Sequence, residues 1–137
     1  MKKILIIEDY QLTVKTYAWM FKDLLKGKEE KYKLFFTDSV EGARKIFLEI
    51  PDISLVVFDG NINGPLLVNP SHGVNPNDEY PNSVVLVYEF RKTSDIPMIA
   101  ASHLEYCRKV LIEAGCDYEC DDKDQVPKRV IEILGLG

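Results

Sequence analysis

The apolar run Ile4-Leu5-Ile6-Ile7 stops on two acids, Glu8 and Asp9, and a second run, Ile53 to Phe58, stops on a third, Asp59. Short continuous apolar runs bounded by charge read as strands buried on both faces, as in a parallel sheet covered by helices. In such an open sheet, ligands bind in the crevice outside the carboxyl ends of the strands, where strand order reverses. Three carboxylates gathered there repel one another, so each is costly unless a cation joins them. Oxygen-only donors suit a hard ion, Mg²⁺ (or Mn²⁺), and an acid left open beside that ion is a candidate phosphoryl acceptor.

The rest of the chain alternates in the same way. Strands are expected at Lys3–Ile7, Lys33–Thr37, Ser54–Phe58, Met98–Ala101 and Asp117–Cys120. Val14, Tyr17, Ala18, Phe21, Leu24 and Leu25 recur at helical spacing and predict a first helix from Tyr10 to Lys26. Trp19 and the other aromatics of this helix read as packing residues. Asp38-Ser39-Val40-Glu41 has capping-box spacing ahead of a second helix, and a third is expected from Ser83 to Lys92. A fourth carries Cys107, Val110, Leu111 and Ala114 and stops at Gly115; Asp124 caps a fifth, with Pro127 in its first turn. Five such units imply right-handed crossovers and helices on both faces.

Composition narrows the class. The 137 residues, 46% of them hydrophobic, suit one globular domain with a real core. A net charge of −5, with no basic cluster longer than a pair, argues against direct nucleic-acid binding. Cys107, Cys116 and Cys120 lack CxxC spacing and read as reduced thiols near the core. The N-terminus enters a strand at once, and no apolar stretch could span a bilayer, so a cytoplasmic protein is expected. One segment breaks the economy: Gly60 to Ser83 holds four prolines and six asparagines, too long and turn-rich for an ordinary βα loop. It reads as a mobile loop flanking the acids, a lid or partner-recognition element.

Four motifs in order carry a family resemblance. Lys2-Lys3-Ile4-Leu5-Ile6-Ile7-Glu8-Asp9 resembles the opening of response-regulator receiver domains, and Leu55-Val56-Val57-Phe58-Asp59 their phosphoacceptor strand. Ile96-Pro97-Met98-Ile99-Ala100-Ala101-Ser102 is similar to the fourth strand with its hydroxyl residue, and Ala114-Gly115-Cys116-Asp117-Tyr118 to the turn before the switch aromatic. The resemblance implies an α/β, flavodoxin-like receiver fold, a doubly wound five-stranded parallel sheet of order 2-1-3-4-5, spanning 1–137 with an inserted loop at about 60–83. It further implies that Asp59 takes the phosphoryl group, and that Glu8, Asp9, Asp59 and the backbone carbonyl of Asn61 hold the metal. Ser102 would hydrogen-bond the phosphoryl group, with the Asn61 side chain pointing toward it, and Tyr118 would change rotamer as Ser102 is drawn in. A histidine kinase or phosphotransfer protein would be the donor, and a downstream partner protein the output of a stand-alone switch that is not an enzyme.

Two features depart from the family. Its lysine, three residues after the switch aromatic, is replaced by Asp121, with Asp122 next; Lys123 follows, but strand register would point it away unless a bulge intervenes. Its proline four residues after the acceptor is replaced by Asn63, within the lengthened segment. The phosphorylated form is therefore expected to be weakly populated or weakly coupled to the Tyr118 switch, with Asp121→Lys raising phosphorylation. Blander readings stand beside these. Asp9 has a lesser reading as a cap of the first helix and Tyr118 as plain core; His72 reads as solvated, and His103 as an exposed loop residue or an obstruction beside Asp59. Competing functions are a degenerate receiver that binds a partner without phosphorylation, and a Mg²⁺-dependent phosphatase. The phosphatase would want a second acid where this chain has Asn61.

Overall fold

The computed structural model describes residues 1–65, 67 and 80–137. Five strands, β1 (Lys2–Ile7), β2 (Tyr32–Thr37), β3 (Ile53–Phe58), β4 (Met98–Ala101) and β5 (Tyr118–Cys120), form one parallel sheet in the order β2-β1-β3-β4-β5. The helices are α1 (Gln11–Leu24), α2 (Val40–Glu49), α3 (Val84–Arg91), α4 (Glu105–Ala114) and α5 (Val126–Leu134). The order matches the one the resemblance implied.

Strand alternation divides the core in two. Ile4, Ile6, Leu55, Val57, Ile99 and Ala101 pack with Tyr17 and Phe21 of α1 and Val126 and Val130 of α5. Leu5, Ile7, Val56, Phe58, Met98 and Ala100 face α2, α3 and α4 through residues such as Ala43, Leu86 and Leu111. Burial on both faces is why β1 and β3 read as unbroken apolar runs. Strand order reverses between β1 and β3, so the residues following these strands lie at the crevice.

Local signals hold with three corrections. The cap of α2 is Ser39, whose Oγ accepts from the Gly42 N–H at 2.9 Å, one residue beyond the Asp38 start of the capping-box reading. Asp124 does not cap α5: Gln125 precedes that helix without a side-chain cap, and Asp122 instead caps a 3₁₀ turn over Lys123–Gln125. Trp19 is not a packing residue, since it is 66% exposed while Tyr17 and Phe21 fill the α1 interface. All three cysteines are free and buried. No helix among the described residues is long and apolar enough to cross a membrane.

The lid or recognition role expected of the Gly60–Ser83 segment falls largely outside the described residues, but both ends of the segment are built into the fold. The N–H of Asn63 donates to the Asp38 carbonyl at 3.0 Å, and its carbonyl accepts from Val40 at 2.9 Å. A proline at this position could not make the first bond. Gly64 follows at a φ of +148°, with Val40 so close that a side chain would collide. Asn82, 1% exposed, then clamps the neck: its Oδ1 accepts from the Ile62 N–H at 2.9 Å and its Nδ2 donates to the Ile62 carbonyl at 2.8 Å. Asn82→Ala leaves both buried backbone groups unpaired and is expected to cost about 2–3 kcal/mol. Thermal unfolding checks this, and an unchanged Tm would show that the neck closes without the clamp.

Candidate functional site

Glu8 and Asp59 sit one residue beyond their strands yet remain in the ladder. The Glu8 N–H donates to Thr37 at 2.9 Å and the Asp59 N–H to Ile7 at 3.0 Å. The backbone therefore fixes both side chains at the rim of the sheet, where Asp9 joins them. One carboxylate oxygen from each of the three acids lies within 4.8 Å of the others. Glu8 is 2% exposed and Asp9 is exposed. Asp9 does not cap α1, whose first turn follows Tyr10 without a side-chain cap. This all-oxygen, net-negative cluster fits a divalent hard cation held by Glu8, Asp9 and Asp59.

Lys123 completes the cluster. Its Nζ lies 2.5 Å from Glu8 Oε1 and 3.0 Å from Asp59 Oδ1. The expectation that strand register would turn it away is overturned because β5 ends at Cys120, before Asp121. Asp122 Oδ1 then accepts from the Asp124 N–H at 2.9 Å, and the resulting 3₁₀ turn directs Lys123 back over the sheet edge.

Burial, and next the hydrogen bond and charge of Glu8, push Asp59 up to about 8 against the pull of Lys123. Burial also opposes charge on Glu8, but hydrogen bonds from Asp59 and Lys123 outweigh it and hold Glu8 below the ordinary carboxylate range. For Lys123, burial disfavours the ammonium, yet Asp59 and Glu8 together keep its pKa raised. Two carboxylates facing one cation thus divide unequally, and Asp59 carries the unfavourable share.

The acids open onto a cleft of about 420 Å³ that Asn61, Ser102, His103 and Cys107 also line. Ser102 is buried, and its Oγ accepts from the Leu104 N–H at 3.2 Å, which leaves its own proton to donate. His103 is exposed at the rim. Asn61 reaches the cleft while its Oδ1 accepts from the Asn82 N–H at 3.2 Å. Tyr118 is half-buried on the α1/α5 side, with the Arg129 guanidinium 5.0 Å from its ring centroid. The sequence placed Cys107 near the core but not at the cleft, and gave no sign of Asn82 or Arg108 there. An arginine in an amphipathic helix reads as solvated, but Arg108 is 8% exposed and donates from Nη1 to the Ser102 carbonyl at 2.7 Å.

No protein-family model matches the sequence, and no curated protein matches it. Solved structures do match its fold. The CheY-like response regulator receiver domain protein of Methanospirillum hungatei JF-1 has a TM-score of 0.65 at 17% identity, covering 98% of this chain and 94% of that one. The response regulator TrrA of Thermotoga maritima, solved in complex with Mg²⁺-BeF, has a TM-score of 0.64 at 19% identity over 100% of both chains. A LuxR-family DNA-binding response regulator from Staphylococcus aureus reaches 0.69 at 14% identity, over 97% of this chain and 98% of that one. Strand order, crevice acids and these neighbours agree: the chain has the CheY-like fold of response-regulator receiver domains.

Proposed function

We propose that this chain is a two-component receiver domain across its 137 residues, with the Gly60–Ser83 segment as an insertion. It takes a phosphoryl group on Asp59 in the presence of Mg²⁺ (or Mn²⁺), from a histidine kinase or phosphotransfer protein in the cytoplasm. An Asp59 carboxylate oxygen attacks phosphorus, the P–N bond of the phosphohistidine breaks, and its electron pair returns to the imidazole. An acyl phosphate remains. Glu8, Asp9, Asp59 and the Asn61 carbonyl would hold the divalent ion, which would supply counter-charge to the incoming oxygens. Lys123 follows the charge from the carboxylate to the phosphoryl group, Ser102 donates its hydroxyl proton to a phosphoryl oxygen, and Tyr118 moves with Ser102. Output passes to a partner protein and not through turnover of a substrate.

The carrying observation is the placement of Lys123 on Asp59 within a three-carboxylate cluster. It supports an active receiver against one of the two grounds for a degenerate one, the acid at Asp121, the other being the enlarged loop. Intact mass after incubation with acetyl phosphate and Mg²⁺ tests the reading. Wild type should gain one phosphoryl mass, Asp59→Asn none, and Asp9→Asn much less because its metal affinity falls. No gain by wild type would favour phosphorylation-independent binding, and steady turnover of a small phosphate ester would favour a phosphatase.

A further inference from the structure

Arg108 is an unusual residue to bury, because an arginine inside a fold must recover its hydration from partners. Here the recovery is incomplete. Nη1 donates to the Ser102 carbonyl, while Nε is buried without a hydrogen-bond partner among the described residues and lies 3.9 Å from Glu119 Oε1. Glu119 lies between Tyr118 and Cys120 in β5, both of which join the α1/α5 core, so strand alternation turns its carboxylate to the α4 face. Its side chain is 56% exposed, and its backbone is in register with Ala100 of β4, two residues before Ser102.

We propose that Arg108 is the positioning residue for Ser102, and that Glu119 sets where Arg108 stands. The Ser102 carbonyl and hydroxyl share one Cα, so pinning the carbonyl from α4 fixes how the hydroxyl enters the cleft beside Asp59. The short turn in which Ser102 Oγ accepts from Leu104 constrains the same residue from its other side. Glu119 attracts the guanidinium from β5 without a full hydrogen bond, which leaves the pair able to tighten when Ser102 shifts. An exposed side chain at the α4–β5 surface is thereby linked to the hydroxyl that meets the phosphoryl group. By reciprocity, a ligand drawing on Glu119 would change the affinity of the cleft for an anion on Asp59. This rests on the proposal that Ser102 contacts a phosphoryl group on Asp59.

The test is calorimetric titration of beryllofluoride into protein saturated with Mg²⁺, beside titration of Mg²⁺ alone. Arg108→Met is expected to weaken beryllofluoride roughly tenfold, the loss of one charge-assisted hydrogen bond, while Mg²⁺ affinity stays within about twofold. Arg108→Lys should recover part of the loss, since an ammonium can still donate to the carbonyl. Glu119→Gln, on an exposed side chain that the fold does not need, should show a smaller loss that disappears in an Arg108→Lys background. Ser102→Ala should abolish the effect of the Arg108 substitutions. A melting temperature that falls with unchanged beryllofluoride affinity would make Arg108 mere packing and overturn the proposal. If Arg108→Met does not fold, unchanged beryllofluoride affinity in both Arg108→Lys and Glu119→Gln overturns it equally. Wild type that binds no beryllofluoride overturns the functional reading, and the proposal with it.

Discussion

Lys123→Ala is expected to destabilise the protein by about 2–4 kcal/mol in metal-free buffer, a fall in Tm of roughly 10 °C. The ammonium touches two carboxyl groups, one 2% and one 14% exposed at the side chain, and its removal leaves the buried Glu8 charge with only the Asp59 proton to meet it in a partly dry crevice. Such a loss exceeds the worth of a surface pair, because the cost is the stranded charge and not just the missing contact. Saturating Mg²⁺ should restore a large part of it, so the metal-induced rise in Tm should be greater for the variant than for wild type. Phosphorylation by acetyl phosphate should fall at the same time. Asp121→Lys, which the sequence suggested would raise phosphorylation, is instead expected to do little, since Asp121 is exposed and Lys123 already occupies the cluster. Asp122→Ala should reproduce part of the Lys123 defect by removing the cap that directs the turn. Equal metal-induced shifts in wild type and Lys123→Ala would show that the lysine and the ion do not share a site.

The contrast between Asp121 and Lys123 shows which parts of this molecule a sequence can reveal. β1 and β3 were legible nearly to the residue because burial on both faces forces continuous apolar runs, and the acids that end them mark the crevice. The helix faces were legible from period, though Trp19 shows that an aromatic at helical spacing need not point inward. The position of Lys123 was not legible, because it depends on where a three-residue strand stops and on one aspartate capping the next turn. Asn82 was hidden for another reason. Its side chain clamps the backbone of a residue twenty positions away, and backbone partners leave no trace in side-chain pattern. Arg108 was hidden because helical period places a charge on a face without saying what covers that face.

Asp59→Asn is expected to stabilise the metal-free protein at pH 8 while abolishing phosphoryl uptake. In the unfolded chain Asp59 loses its proton in the ordinary carboxylate range; in the fold, burial and then Glu8 hold the proton until about pH 8. A group whose pKa is raised by folding contributes fully below its unfolded pKa, and that contribution fades as pH rises through the folded value. The stability of wild type relative to Asp59→Asn should therefore decline steadily from pH 4 to pH 8 and then level off. Asparagine removes the titration yet keeps a donor toward Glu8, so the variant should gain on the order of 2 kcal/mol at pH 8 and almost nothing at pH 4.5. Comparing the two proteins at each pH cancels the carboxylates remote from the cluster, which titrate alike in both; Glu8, which touches Asp59, moves with the substitution. Mg²⁺ should close the gap at pH 8, because the ion supplies to the Asp59 carboxylate the counter-charge that asparagine renders unnecessary. An advantage for Asp59→Asn that is equal at pH 4.5 and pH 8, or unaffected by Mg²⁺, would mean that like-charge strain at Asp59 is not what the substitution relieves.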